Sequence, residues 1–383
     1  MAEIQFKKGT YELSRYPLFD YQLNRLIMWN QADPEEVAAL AGEIHDFDSW
    51  EKTLKKLSRQ ALERNQTDAA TGCLRMAEFF MDAGTPEALE VYEQAREMFY
   101  RFHGDLFDGE KGVIQSGLVP FENGFLPCWR VALKGAKKGT ILFQGGNDSL
   151  LEEFLNPVLY LSEFGYEVIA FEGPGQGAAL RKYGLTFLAE WERPVKAVLD
   201  YYQVEAATLI GVSLGGELVL RAAAYEPRIK KIVSWCPLTD LYDAVMANKP
   251  PEVGEMVGRM LEKQEEARVV AFYRQLEEKN PLIKWSINHS NYAYGTKNIY
   301  EYLLKARKFT VKDLGSRIKQ DVLLIGARED AMVDFSLYRQ AIEVLKDART
   351  LTLEVPGRAV HGQQHCNIGN TRLVLDDILK WLG

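Results

Sequence analysis

The residues best suited to chemistry lie in one short stretch, Leu209 to Leu220, which reads LIGVSLGGELVL. Apolar Ala207-Thr208-Leu209-Ile210 predicts a strand, Gly211-Val212-Ser213-Leu214-Gly215 a tight turn, and Gly216 to Ala224 a helix. A G-x-S-x-G turn between strand and helix lifts a serine hydroxyl out of the sheet. Gly211 and Gly215 have no Cβ, so strand and helix can close around Ser213. The first N–H groups of the helix, Leu214 foremost, then point at any oxyanion that forms beside the serine. The chemistry implied is nucleophilic attack by Ser213 on a carbonyl. The alternative is an idle serine in a glycine-rich turn.

A serine hydroxyl needs a base, and the base an orienting acid. With such an elbow the partners follow in the order serine, acid, histidine. The last predicted strand is followed by Pro356-Gly357-Arg358-Ala359-Val360-His361-Gly362-Gln363-Gln364-His365, which offers two histidines. His365, just before the closing helix, is favoured over His361; His289 is a remote third choice. The acid is expected after the strand Val322–Ile325, where Asp330 is favoured over Glu329, with Asp240 as an alternative. A second oxyanion donor is expected from Gly145-Gly146-Asn147, with Gly146 preferred and Asn147 next.

The elements that must hold these residues fall into two parts. Residues 1–107 read as an all-helical N-terminal domain: Pro17 to Trp29, a start at Asp33-Pro34-Glu35-Glu36, Asp48 to Asn65, Thr67 to Met81 and Thr85 to His103. Residues 108–383 read as an α/β domain with a mostly parallel sheet. Val113–Phe121 and Phe125–Leu133 flank Glu122-Asn123-Gly124, a hairpin signal. Strands at Thr140–Gln144, Tyr166–Phe171, Lys231–Trp235, Val322–Ile325 and Leu351–Val355 alternate with helices at Leu150–Phe164, Thr186–Tyr202 and Asn370–Leu382. From about 238 to 318 the alternation stops, too long a gap for a plain loop. Helices at 252–280 and 297–308 predict a cap over the site. Its aromatic run Trp285 to Gly295, with His289 and Tyr292, either lines a substrate pocket or glues cap to core.

Composition sets limits. A formal charge of -8 and no basic run argue against nonspecific nucleic-acid binding. The polar opening Met1-Ala2-Glu3 predicts no signal peptide, and no run is long enough to span a membrane. Cys73, Cys128, Cys236 and Cys366 are scattered without zinc spacing, as expected of reduced thiols in the cytoplasm. No metal site is predicted.

Four stretches carry a wider likeness: Gly145-Gly146-Asn147-Asp148-Ser149 with Glu152-Glu153; Phe171-Glu172-Gly173-Pro174-Gly175-Gln176-Gly177; Gly211 to Gly216; and His365-Cys366-Asn367-Ile368-Gly369-Asn370. With them the chain resembles α/β-hydrolases that carry a helical N-terminal domain, the group of 2,6-dihydroxypseudooxynicotine hydrolase, Ayg1-type hydrolases and acylaminoacyl-peptidase-like relatives. The resemblance implies a cofactor-free serine hydrolase of esters, amides or ketone carbon–carbon bonds, acting on a small molecule, and a homodimer. It also implies that Glu152 or Glu153 assists carbon–carbon cleavage, although both equally suit the first turn of a helix. An acyltransferase or a peptidase on the same scaffold is the alternative function.

Overall fold

A computed structural model of the chain describes residues 4–109, 112–133, 135–247 and 249–383, so the Met1-Ala2-Glu3 opening lies outside the described residues. Helices come first: α1 (Pro17–Met28), α2 (Pro34–Ala41), α3 (Phe47–Glu63), α4 (Thr67–Glu78), α5 (Pro86–Phe102) and the single turn α6 (Gly104–Phe107). Their starts follow local chemistry. Asp33 caps α2 by accepting from Glu35 and Glu36, Asp46 and Ser49 form a capping box on α3, and Thr85 caps α5. The apolar faces of α1 to α4 meet in one cluster around Leu23, Leu26, Trp50, Leu54 and Phe80, where the Trp50 indole donates to the Met76 carbonyl (2.7 Å).

The strands are β1 (Gln115–Phe121), β2 (Gly124–Val131), β3 (Gly139–Gln144), β4 (Tyr166–Phe171), β5 (Ala207–Val212), β6 (Ile229–Trp235), β7 (Asp321–Ile325) and β8 (Thr350–Glu354). They form one eight-stranded sheet in the order β1-β2-β4-β3-β5-β6-β7-β8. The β1–β2 hairpin and the β2–β4 pair are antiparallel, and every other pair is parallel. Strands β4 and β5 are buried at every position, as a sheet covered on both faces requires. One face carries α8 (Gly177–Arg181), α9 (Glu192–Tyr201) and α10 (Gly215–Tyr225); the other carries α7 (Leu155–Glu163) and the closing helix, described below.

The insertion between β6 and β7 holds α11 (Leu241–Ala247), α12 (Pro251–Glu262), α13 (Glu266–Glu277), α14 (Pro281–Tyr294) and α15 (Ile299–Ala306). The chain closes with α16 (Ser336–Val344) and α17 (Thr371–Leu382). Several elements differ from the sequence expectation: the helix expected over 252–280 is two, α12 and α13, and α8 and α11 are additional. The run Trp285–Gly295 lies within and just beyond a helix, α14, whose Asn280 cap, Pro281 start and left-handed Gly295 stop are all readable in the sequence. The helix expected from Thr186 begins only at Glu192. Before it Phe187 is held irregular, stacked on Tyr294 and donating its backbone N–H to the Ala293 carbonyl. Helix α16, between the last two strands, was not anticipated. Among the described residues no helix is long and apolar enough to cross a membrane.

Candidate active site

Ser213 sits at the β5–α10 junction with φ of +60°, a left-handed conformation that costs a non-glycine residue about 1–2 kcal/mol. The turn can be this tight because its glycines touch: a Cβ on Gly211 would lie 2.1 Å from the Gly215 carbonyl oxygen. The Ser213 Oγ lies 2.9 Å from His365 Nε2. On the far side of the ring, Nδ1 lies 2.8 and 3.0 Å from the two Asp330 oxygens. A carboxylate on Nδ1 fixes the proton there and leaves Nε2 to accept from the serine. Asp330 is itself held by the N–H groups of Met332 (2.8 Å) and Val333 (2.9 Å).

These groups are buried, with side-chain exposure of 6% for His365 and 2% for Asp330. Burial opposes a charged imidazole, but the carboxylate of Asp330 outweighs it and raises the His365 pKa well above its ordinary value. Burial likewise pushes Asp330 up, while His365 and the two backbone N–H groups bring it below the usual carboxylate value. The thiol of Cys236 lies 3.9 Å from His365 Nδ1, and burial raises its pKa to about 12, so it stands as a neutral neighbour.

The loop that carries His365 is fixed by Asn367, which sequence reasoning did not single out. Its amide donates to the carbonyls of Gly326 (2.9 Å) and Gly362 (2.8 Å) and accepts from the Trp235 indole (2.8 Å). His361 lies apart, its Nδ1 3.3 Å from Thr10 Oγ1. Glu329 pairs with Arg358, and Asp240 with Lys312.

The loop after β3 crosses directly over the elbow: a Cβ on Gly146 would lie 2.7 Å from Ser213 Cβ and 2.9 Å from the Leu214 nitrogen. Here the structure departs from expectation. The Gly146 N–H donates to Ser149 Oγ (2.9 Å) and is already engaged. The N–H groups of Leu214 and Asn147 have no protein acceptor among the described residues.

A cavity of about 50 Å³ opens beside Ser213 and His365. One wall comes from α1 and its C-cap, through Tyr21, Gln22, Arg25 and Trp29, while polar Asp148, Ser149 and Glu153 and apolar Phe154, Val212, Met332 and Ile368 make the rest. Among the described residues, none from 238–318 lines this cavity, and α1 borders it instead. The insertion instead packs against the site's neighbours. The Tyr294 hydroxyl donates to Asn147 Oδ1 (3.0 Å). His289 is buried, stacks on Trp285 and borders a neighbouring small cavity with Arg75, Glu78 and Arg181. Tyr292 packs against Gly84, where a Cβ would come within 2.6 Å of its ring. Trp285 joins Phe79 and Phe80. These aromatics join the insertion to the N-terminal helices.

The two glutamates separate. Glu153 borders the cavity and is paired with Arg25 (2.5 Å) and Arg75 (3.6 Å). Glu152 turns away to Arg96 (3.3 Å) and is absent from the cavity wall. The sequence signal for Arg25 was an arginine on the apolar face of α1 between Leu23 and Leu26, where a charge must find a partner.

Residues 141–360, more than half of the chain, match the family model described as alpha/beta hydrolase fold. The chain belongs to the α/β-hydrolase fold family. Among curated proteins it is 28% identical to the hydrolyase ccsE of Aspergillus clavatus, covering 93% of this chain and 94% of that one. It is 26% identical to the hydrolase ORFZ of Pyricularia oryzae, covering 95% of each. Among solved structures it resembles the 2,6-dihydroxy-pseudo-oxynicotine hydrolase, with a TM-score of 0.65, 18% identity and 94% of each chain covered. It also resembles AbyA5, with a TM-score of 0.69, 16% identity and 95% of this chain and 94% of that one covered. The α/β-hydrolase assignment and the hydrolase relatives make this chain a hydrolase.

Proposed function

We propose that this hydrolase cleaves a carbonyl compound, a carboxylic ester or a ketone carbon–carbon bond, through an acyl-enzyme on Ser213. The observation that carries the reading is the line of three side chains: Ser213 Oγ 2.9 Å from His365 Nε2, and His365 Nδ1 2.8 Å from Asp330. His365 takes the Ser213 proton as Oγ bonds to the carbonyl carbon, and Asp330 stabilises the imidazolium that forms. The N–H groups of Leu214 and Asn147 receive the oxyanion. His365 then returns the proton to the leaving alkoxide or enolate, which departs with the electron pair of the broken bond. Water, activated by the same histidine, releases the acid.

The small volume of the cavity and the α1 side that borders it support a small acyl group. Glu153, the only one of the two glutamates beside the cavity, is neutralised by Arg25 and Arg75, which supports reading it as part of the wall. The test is a mass-spectrometric product assay with short acyl esters and 1,3-diketones, comparing wild type with Ser213→Ala. Loss of all product formation by the folded variant is expected. Retained turnover would refute the reading, and the substrate class cleaved by wild type separates ester from carbon–carbon hydrolysis.

A further inference from the structure

The stretch Phe171-Glu172-Gly173-Pro174-Gly175-Gln176-Gly177 contributes no group to the reaction as written, yet two of its hydrogen bonds converge on the loop above Ser213. Gln176 is 2% exposed. Its amide nitrogen donates to the carbonyls of Gly145 (2.8 Å) and Gly146 (2.9 Å), and its Oε1 accepts from the Gly173 N–H (2.8 Å). An amide NH₂ has two donors, and both are used on consecutive carbonyls of one loop. Beside it, the Glu172 carboxylate accepts from the Leu151 N–H (2.8 Å) and the Ala178 N–H (2.7 Å), tying the segment after the loop to the same stretch.

The consequence follows from peptide geometry. In a planar trans peptide the N–H points opposite to the C=O on the same bond. Holding the Gly146 carbonyl therefore fixes the direction of the Asn147 N–H, and holding the Gly145 carbonyl fixes that of the Gly146 N–H. The loop lies against the elbow, within 2.7 Å of Ser213 Cβ for a Cβ on Gly146. We infer that Gln176 is a positioning residue, which sets the oxyanion-binding N–H of Asn147 by gripping the two carbonyls before it. No other side-chain amide can replace it without the same reach, because asparagine is one methylene shorter and glutamate loses a donor. The inference rests on the proposed reaction at Ser213.

The test uses Gln176→Met, which keeps length and removes the polar grip, and Gln176→Glu, which keeps shape. A loosened donor weakens transition-state binding more than substrate binding, so kcat should fall about 10- to 100-fold with KM changed less than about threefold. The affinity of a trifluoromethyl ketone, which forms an oxyanion on Ser213, should fall in parallel with kcat/KM. For Gln176→Glu, the neutral acid can still hold one carbonyl, but the carboxylate repels both. Its kcat should therefore decline as pH rises, an alkaline limb absent from wild type. That profile decides the matter if Gln176→Met does not fold. A folded Gln176→Met with wild-type kcat and ketone affinity, a rise in KM alone, or a Gln176→Glu profile matching wild type would overturn the inference. Ser213→Ala separates the two failures: turnover persisting there removes the serine reading, whereas a dead Ser213→Ala beside a fully active Gln176→Met removes only the role of Gln176.

Discussion

Arg25 on α1 and Glu153 beside β3 form an ion pair in which the side chains are only 7% and 4% exposed. The pair joins the N-terminal helices to the core at the wall of the cavity beside Ser213. Removing one partner leaves a buried charge with diminished compensation. Arg25→Leu should destabilise the chain by about 3–5 kcal/mol, read as a lower denaturant midpoint. Arg25→Leu with Glu153→Leu should recover only part of that loss, because Arg75 then loses its carboxylate. A double variant less stable than the single one would show that the charges are not coupled through this contact.

The two histidines after β8 should differ sharply. His365→Ala removes the base, and a loss of roughly 10⁴-fold or more in kcat is expected. His361→Ala removes a 3.3 Å contact with Thr10 and should leave kcat within a few-fold of wild type. Steady-state kinetics on both variants decides the ranking, and the reverse order would reassign the base.

The Asp330–His365 contact makes a prediction about pH. The proposed reaction requires neutral His365, and Asp330 raises its pKa. The acid limb of kcat/KM should therefore lie above about 6.5, the ordinary imidazole value, with activity lost as pH falls through it. Asp330→Asn should move that limb down as well as lowering the rate. Stability follows the opposite sign for the histidine. Its contribution is full below the unfolded-state value of about 6.5 and is lost as pH rises through the higher folded value. The contribution of Asp330, whose folded pKa is lowered, is present above about 3.9 and lost as pH falls through the folded value.

Backbone strain at the nucleophile can be measured separately from chemistry. Ser213 has φ of +60°, which glycine adopts freely and alanine does not. Ser213→Gly should be about 1 kcal/mol more stable than Ser213→Ala, although neither turns over. Equal melting temperatures for the two would place no strain at this position.

Glu217 on α10 is fully buried, and neither carboxylate oxygen has a hydrogen-bond partner among the described residues. Burial raises its pKa to about 8. The folded state thus holds a proton that the unfolded state has released, and stability should fall as pH rises from about 4.3 towards 8. Glu217→Gln should flatten that slope in thermal melts. An unchanged slope would assign it to other groups.

Much of this arrangement was legible in the chain because it is local. The turn at Ser213 announces itself through Gly211 and Gly215, the strands through short apolar runs, and α2 and α5 through Asp-Pro and Thr-Pro starts. Asp330 and His365 were accessible from their places after β7 and β8, and the structure brings both to Ser213. What was not legible depends on packing between distant segments. That α1 borders the cavity cannot be read from periodicity, since α1 and the helices of the insertion both present apolar faces. Sequence position favours Gly146 over Asn147 as the second oxyanion donor. In the structure the Ser149 hydroxyl, three residues on, distinguishes their N–H groups. The grip of Gln176 and Asn367 on loop carbonyls likewise requires three-dimensional proximity.

The wall built by α1 has a consequence for how such chains diversify. The family model begins at residue 141, so the helix that borders the reacting serine lies outside the segment it recognises. Two proteins could share the whole recognised portion and still present different chambers to a substrate, through changes at Tyr21, Gln22, Arg25 and Trp29. If the proposed reaction takes place in this chamber, its shape is set at the junction between two parts of the chain, and exchanging the N-terminal helices between relatives should alter which substrates it accepts.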